Sequence, residues 1–555
     1  MSTTLTANDL LSSIASNLHD GDMSIARRAI INSLGNPIIE SADMYKTTHK
    51  DMYPQNMTKL QSYCEPRTGA SLNKIVVFGI QLLVNDLASI RVTQAQLNEA
   101  DKFFASTFKD PTVFARLRPG WQTIIDAGGY LPVEIRALPE GMVVPPGTPI
   151  FTVESTNEAT PWIANFLETR LSHFWYTATV ASIAFYNRQT LEKMCILEGM
   201  TVDEASHHAK HFGVCDFGLR GVPNIATGAA GGMAALTSSH CSDNSAAIFA
   251  FASDYGTDDS LSDFYENIGS SIPAAEHSTI TAHLKSGELD AVRQILTKFP
   301  SGPISIVADS YDYIVADSYD YNGFVGAVCG ELKSTIMDRY EAASKDGGAH
   351  MVVIRPDSGD MHENVVFTLK ALKDAFGSEQ NAMGFHVLHP AVRIIQGDGI
   401  NMESYAALLD TLHKHSFSVT NLVCGSGGGL LQNCNRDTLR FAIKANLAII
   451  DGTERGLAKE TAGKTSKRGR LAVEVKDEEV ETFSNSESGG GVNLLDELVY
   501  RDGKRMRFTS IQQIRSRIDK AHSAMHTEAK ASSTKLKEDE VADPNATSIT
   551  GETVA

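Results

Sequence analysis

The sequence predicts an α/β chain, a (β/α) barrel with a β-rich second domain built from N- and C-terminal segments. Four short apolar runs, "PISIVADS", "HMVVIRPDSG", "VRIIQGDG" and "TNLVCGSGGG", each end in a polar turn. They alternate with stretches of helical period such as "HENVVFTLKALKDAF" and "MESYAALLDTLHKH". Strands that end in polar turns and alternate with helices are βα units of a parallel sheet. In a closed barrel their C-terminal ends share one mouth, where an active site belongs. By contrast "LPVEIRALPEGMVVPPGTPIFTVEST" is punctuated by proline and glycine and has extended runs without helical period, which suits an antiparallel domain.

Taken in order, Leu10, Leu11, Ile14 and Leu18 recur at helical spacing, so an amphipathic helix precedes the linker "NSLGNP". The β-rich and barrel segments follow. After them "KETAGKTSKRGR", residues 459–470, is a basic, solvated loop that also suits a polyanionic small substrate. The last stretch, "AHSAMHTEAKASSTKLKEDEVADPNATSITGETVA", has few large apolar groups to offset the entropy of ordering and is expected to be a disordered tail.

Bulk properties narrow the function classes. The 555 residues are 42% hydrophobic and 21% charged, as in ordinary globular proteins, and are long enough for two or more domains. A net charge of −18 argues against nucleic acid or an anionic membrane as the main partner. The seven cysteines show no C-x-x-C pair, which reads as idle thiols in a reducing, cytoplasmic setting rather than a metal site or disulfides. The N-terminus lacks the apolar run of a secretory signal, and no run of eighteen apolar residues suggests a membrane span.

The strand ends carry a consistent chemical set. "IRPDSGD" offers Arg355, Asp357, Ser358 and Asp360; "IQGDG" offers Gly397 and Asp398; "CGSGGGLLQ" offers Gly425 to Gly429. Glycines between a strand and a helix let backbone N–H groups converge on a phosphate, although tight turns use glycine too. Carboxylates around one mouth suit Mg²⁺ held through a polyphosphate, while a lone aspartate in a βα turn is more commonly an N-cap. In "SIPAAEHSTI", His277 follows Glu276 at a helical start, a pattern open to a structural histidine, a phosphate acceptor or a proton carrier.

The segments "ADMYKTTHKDMYP", "YCEPRTG", "CDFGLRGV", "SIPAAEHSTI", "VADSYD", "VIRPDSG", "IQGDG", "GSGGGLLQNCNRD" and "KTSKRGRL", in this order, resemble the nicotinamide phosphoribosyltransferase family of type II phosphoribosyltransferases. The resemblance runs from about residue 36 to about 522. It implies an N-terminal extension at 1–35, a β-rich domain at 36–172 and 437–522, the barrel at 173–436 and a tail at 523–555. It further implies a homodimer with shared active sites, and nicotinamide plus phosphoribosyl pyrophosphate going to nicotinamide mononucleotide and pyrophosphate, with Mg²⁺ as cofactor and ATP as co-substrate.

By the same resemblance, Phe217 and a partner's Tyr45 stack on the base, with Arg220, Ser305 and Arg355 around it. Asp243 matches the carboxylate that accepts from the carboxamide and repels nicotinate. Asp43 and Asp357 lie near ribose and Mg²⁺, with Asp357 the metal-associated residue, and Gly397, Asp398, Gly427 and Gly428 cradle ribose and 5′-phosphate. Arg67, Arg436, Lys444, Lys459 and Lys464 hold pyrophosphate or the ATP phosphate, and His277 is the residue that ATP phosphorylates.

Three features depart from the family pattern. Leu219 replaces an aromatic residue, Ala442 replaces a serine, and residues 306–321, "IVADSYDYIVADSYDY", repeat one octapeptide. The family has one "DSYD". Copy one, with Asp309, keeps Ser305 in register with its strand; copy two, with Asp317, keeps register with the following helix. Asp309 is therefore the expected working residue, and the other copy an excursion at the mouth. Alternative readings are a nicotinate or quinolinate phosphoribosyltransferase, against which Asp243 speaks, and a nucleotide-binding dimer impaired by the duplication.

Overall fold

The structure, a computed structural model, describes residues 37–542 except 257–264, 266, 285–286, 309–318, 344–349, 357–358, 461–465, 478 and 485–490, with no side chains given for 319, 320 or beyond His526. The expected N-terminal helix and the residues Asp309, Asp317, Asp357 and Lys464 lie outside the described residues. The chain forms two compact units. One comprises residues 1–140, 144–178 and 435–509; the other comprises 141–143, 179–434 and 510–555.

The first unit is built on a seven-stranded sheet in the order Thr453–Gly456, Phe441–Ile450, Met57–Pro66, Phe151–Ser155, Val133–Ala137, Leu498–Arg501, Lys504–Arg505, with every pairing antiparallel. Strands from both ends of the chain interleave, as the β-rich expectation requires. Val133, Ile135 and Ala137 are buried while Glu134 and Arg136 between them are partly exposed, the period of a half-buried strand. Edge-to-face contacts hold the aromatic core, with Phe174 5.6 Å from Phe151 and 5.7 Å from Phe441.

The second unit is an α/β layer around five parallel strands in the order Val214–Asp216, Leu422–Ser426, Val392–Gln396, Val352–Pro356, Ile304–Ala308. The four apolar runs read from sequence supply four of these strands. Their helices follow at Met361–Phe376 and Met402–Lys414. Val365, Leu369 and Leu372 on the first helix and Leu408, Leu409 and Leu412 on the second share one buried cluster with Ile304, Ile306, Ile354 and Ile394. The turn residue Asp360 caps the first helix by accepting the N–H groups of His362 and Glu363 at 2.9 and 3.0 Å, a structural task. Single parallel bridges continue the sheet past Asp216 to Ser242, from Cys241 to Ser270 and from Ala274 to Ser305.

Two expectations are corrected. Helix Ile511–Ala542 belongs to the second unit, not to the β-rich one, and it carries regular structure well past residue 522. Its buried Ile511, Ile514, Ile518, His522 and Met525 form an apolar stripe, and alanine, lysine and glutamate continue the helix beyond it. Nor are all cysteines thiols: Cys215 and Cys241 are joined in a disulfide, and Cys64, Cys195, Cys329, Cys424 and Cys434 are free. Among the described residues no helix is long and apolar enough to cross a membrane.

Candidate active site

A cavity of about 460 Å³ opens at one face of the parallel sheet, lined among others by Cys215, Phe217, Asp243, Ser305, Val353 and Arg355. The period of two explains this set. Residues 215 and 217, 241 and 243, 303 and 305, and 351, 353 and 355 all line the cavity, while Ile304, Val352 and Ile354 between them join the core cluster. Four residues expected around a base, Phe217, Asp243, Ser305 and Arg355, are therefore brought together. Arg220, on the short turn Leu219–Gly221, is exposed and is not among the cavity-lining residues.

The position of Phe217 depends on a missing side chain. A Cβ on Gly425 would lie 1.9 Å from Phe217 Cε2, and one on Gly397 would lie 3.5 Å from the same atom. The ring thus rests on two glycine backbones, leaving its other face for a ligand. The Phe217 N–H donates to Ser426 O at 2.9 Å, fixing the turn from which the ring projects.

Asp243 is exposed at the cavity, where its Oδ1 accepts a hydrogen bond from Ser271 Oγ. Its backbone N–H donates to Asp216 O at 3.0 Å. Buried Asp216 accepts from the Gly218 N–H at 2.7 Å and from Asn244 Nδ2 at 2.9 Å. Asn244 also donates to Gly228 O and caps the helix Ser245–Tyr255. This lattice braces the segments holding Phe217 and Asp243, and burial pushes the Asp216 carboxyl above its usual range. Ser271, Asp216, Asn244 and the Cys215–Cys241 bridge were not singled out from sequence. Alternation at 215/217 and 241/243 is the one signal that could have placed the cysteines on the face of Phe217 and Asp243. Ser305 Oγ is buried without a hydrogen-bond partner among the described residues, so a polar ligand atom fits it.

Gly427 and Gly428 sit where strand Leu422–Ser426 gives way to the short helix Gly428–Leu431. Asp398 is exposed just beyond the neighbouring strand Val392–Gln396. Gly429 has no room for a side chain, since a Cβ would stand 2.2 Å from Ile400 O. His277, also exposed, opens the helix His277–Thr281 behind the N-cap Glu276.

In the first unit three of the expected basic groups, Arg67, Lys444 and Lys459, gather. The Lys444 ammonium is 3.9 Å from Glu65 Oε1, and Lys467 pairs with Glu65 Oε2. Burial, together with the like charges of Arg67, Lys467 and Lys459, holds Lys444 below the usual lysine range against the pull of Glu65. Lys467 is an addition to the predicted set. Arg436 is exposed beside Asp437. Asp43 accepts from Thr169 Oγ1 at 2.8 Å, and Tyr45 is 59% exposed, its ring held by His49 at 5.0 Å.

The model of the nicotinate phosphoribosyltransferase (NAPRTase) family matches residues 212–487, and that of the nicotinamide phosphoribosyltransferase N-terminal domain matches residues 37–135. A nicotinamide phosphoribosyltransferase of Xanthomonas campestris pv. campestris is 34% identical over 87% of this chain and 98% of its own. One from Acinetobacter baylyi is 29% identical over 87% and 97%. Among solved structures, nicotinate-nucleotide pyrophosphorylase from Pyrococcus furiosus shares the fold, with a TM-score of 0.52 at 13% identity over 87% of this chain and 94% of that one. The family models and these relatives make the chain a pyridine-nucleotide phosphoribosyltransferase. Within that class the chain belongs to the nicotinamide phosphoribosyltransferase family.

Proposed function

We propose that this chain joins nicotinamide to phosphoribosyl pyrophosphate in NAD salvage. The observation that carries the reading is the cavity that sets an aromatic face, Phe217, beside a carboxylate, Asp243. The pyridine ring stacks on Phe217, and the carboxamide N–H₂ donates to the Asp243 oxygens. The charged carboxylate of nicotinate meets like charge there, so nicotinamide is the preferred base. The pyridine nitrogen then forms a bond to C1′ of the ribose as the bond from C1′ to pyrophosphate breaks.

Negative charge gathers on the departing pyrophosphate, and cations aimed at it stabilise the transition state above the ground state. In the first unit Arg67, Lys444, Lys459 and Lys467 form a basic group of the kind a pyrophosphate takes, and in the second Gly427 and Gly428 offer backbone N–H groups of the kind a 5′-phosphate takes. Asp398, exposed beside that turn, gives the site a hard oxygen donor of the kind Mg²⁺ takes, and Asp357 is the further carboxylate assigned to it. Bound Mg²⁺ would neutralise part of the pyrophosphate charge.

Three finer readings belong with this function. The bridges that continue the sheet from Asp216 round to Ser305 support a closed barrel. The exposure of Tyr45 supports its reaching a second subunit in a homodimer. The exposed position of His277 at a helix start supports its taking a phosphoryl group from ATP, releasing ADP, before water removes it.

The test is product formation by the purified chain from phosphoribosyl pyrophosphate and Mg²⁺ with nicotinamide or nicotinate, with and without ATP. Nicotinamide mononucleotide as the dominant product is expected, and its rate rises with ATP. Equal use of nicotinate would overturn the role of Asp243, and no product from folded protein would overturn the function.

A further inference from the structure

Away from the active site, the helices Phe174–Leu197 and Ile511–Ala542 bring together Glu192, His522 and His526. The two histidines are four residues apart, so they lie on one face of their helix. Glu192 Oε2 stands 2.9 Å from His522 Nδ1 and 2.9 Å from His526 Nε2. The three candidate donor atoms all lie within 4.8 Å of one another. The cluster is dry: side-chain exposure is 1% for Glu192, 2% for His522 and 8% for His526.

We propose that Glu192, His522 and His526 form a binding site for a divalent transition-metal ion of the Zn²⁺ type, which ties the C-terminal helix to the α/β unit. Two imidazoles and one carboxylate suit Zn²⁺, with its tetrahedral preference and a fourth position left to water. Mg²⁺, the hard cation of the phosphoribosyl chemistry, disfavours a nitrogen-rich set.

A second observation points the same way. His522 is buried, and its Nδ1, the ring nitrogen that faces Glu192 Oε2, makes no hydrogen bond among the described residues, while the Phe185 ring packs 4.1 Å from the imidazole. Glu192 Oε2 is left as the shared focus of both histidines because Oε1 is already occupied. Arg188 Nε donates to Oε1 at 2.7 Å, and Arg188 is itself held by Asp519 at 2.7 Å and Ser206 at 3.0 Å. That is the outer-shell arrangement that orients a ligating carboxylate, and Asp519 offsets the guanidinium charge.

The test uses the full chain, stripped with a chelator and dialysed, then titrated with Zn²⁺ and with Co²⁺ as a spectroscopic stand-in. The expected result is one equivalent of tightly held ion per chain and an intense visible Co²⁺ spectrum of tetrahedral type. Slower hydrogen exchange in helix 511–526 is expected with metal. His526→Gln, at the edge of the cluster, is expected to weaken binding at least tenfold and to abolish the exchange protection. Glu192→Gln serves as the second variant, with circular dichroism verifying that each folds. The proposal is overturned if the stripped protein takes up no Zn²⁺, or if folded His526→Gln binds Zn²⁺ and Co²⁺ as the parent does.

Discussion

Asp243 is held from three sides: Ser271 donates to its carboxylate, its N–H is bound to the Asp216 carbonyl, and the neighbouring Asn244 is locked to Asp216. A carboxylate fixed in this way pays little reorganisation when a carboxamide arrives. Asp243→Asn removes the charge but keeps the shape, and hydrogen bonds to charged groups are worth about 1.5–3 kcal/mol. We expect kcat/KM for nicotinamide to fall roughly 10- to 100-fold, while the preference over nicotinate narrows; competition between the two bases measures both. Gly425→Ala tests the platform under Phe217. The added methyl cannot coexist with a ring atom 1.9 Å away, so the ring must shift. KM for nicotinamide is expected to rise about tenfold with a smaller change in kcat, the sign of lost ground-state binding. An unchanged KM would show that Phe217 does not carry the base.

At the scale of elements, the repeat 306–321 is divided between two of them. Strand Ile304–Ala308 is completed by the "IVA" of copy one, and helix Tyr319–Cys329 begins with the "YDY" of copy two. Tyr321 from copy two is buried, its hydroxyl bonded to Thr368. Both registers named from sequence are therefore in use, and ten residues, 309–318, connect them. Excising either copy yields the same chain, so deletion cannot decide which aspartate works. Point changes can: Asp309→Ala is expected to abolish the ATP stimulation of product formation and Asp317→Ala to leave it intact, and the reverse pattern would move the role to copy two. The shared deletion is expected to melt no lower than the parent, because shortening a loop lowers closure entropy by about 0.6 kcal/mol per halving. Strands and glycine turns were legible because period and punctuation are local. The Asp216–Asn244 brace and the Cys215–Cys241 bridge were not, because they join residues 28 and 26 apart that only the parallel sheet makes neighbours.

For the whole molecule, the misread tail and the acid response have a common origin. The segment from Ala521 is polar, yet the helix anchored by Ile511, Ile514 and Ile518 runs on through it to residue 542, with His522 and Met525 buried, while residues 543–555 of the expected tail lie outside the described residues. Arg515 from this helix donates to the carbonyls of Leu236 and Ile268 at 2.8 and 2.6 Å and is partly buried. Its charge falls on His240, which burial and then Arg515, His211, Lys210 and Arg188 push down to about 3. His240 therefore stays neutral in the folded protein while the unfolded chain takes up a proton below about pH 6.5. The sign follows: the stability is fully present above pH 6.5 and is lost as pH falls towards 3, by roughly 1.4 kcal/mol per pH unit while only the unfolded state is protonated. His240→Asn removes that proton uptake, so its urea midpoint is expected to fall less between pH 7 and pH 5 than the parent's does. Equal slopes in the two proteins would locate the acid sensitivity elsewhere, and His208, pushed by burial down to about 4, would be the next group to replace.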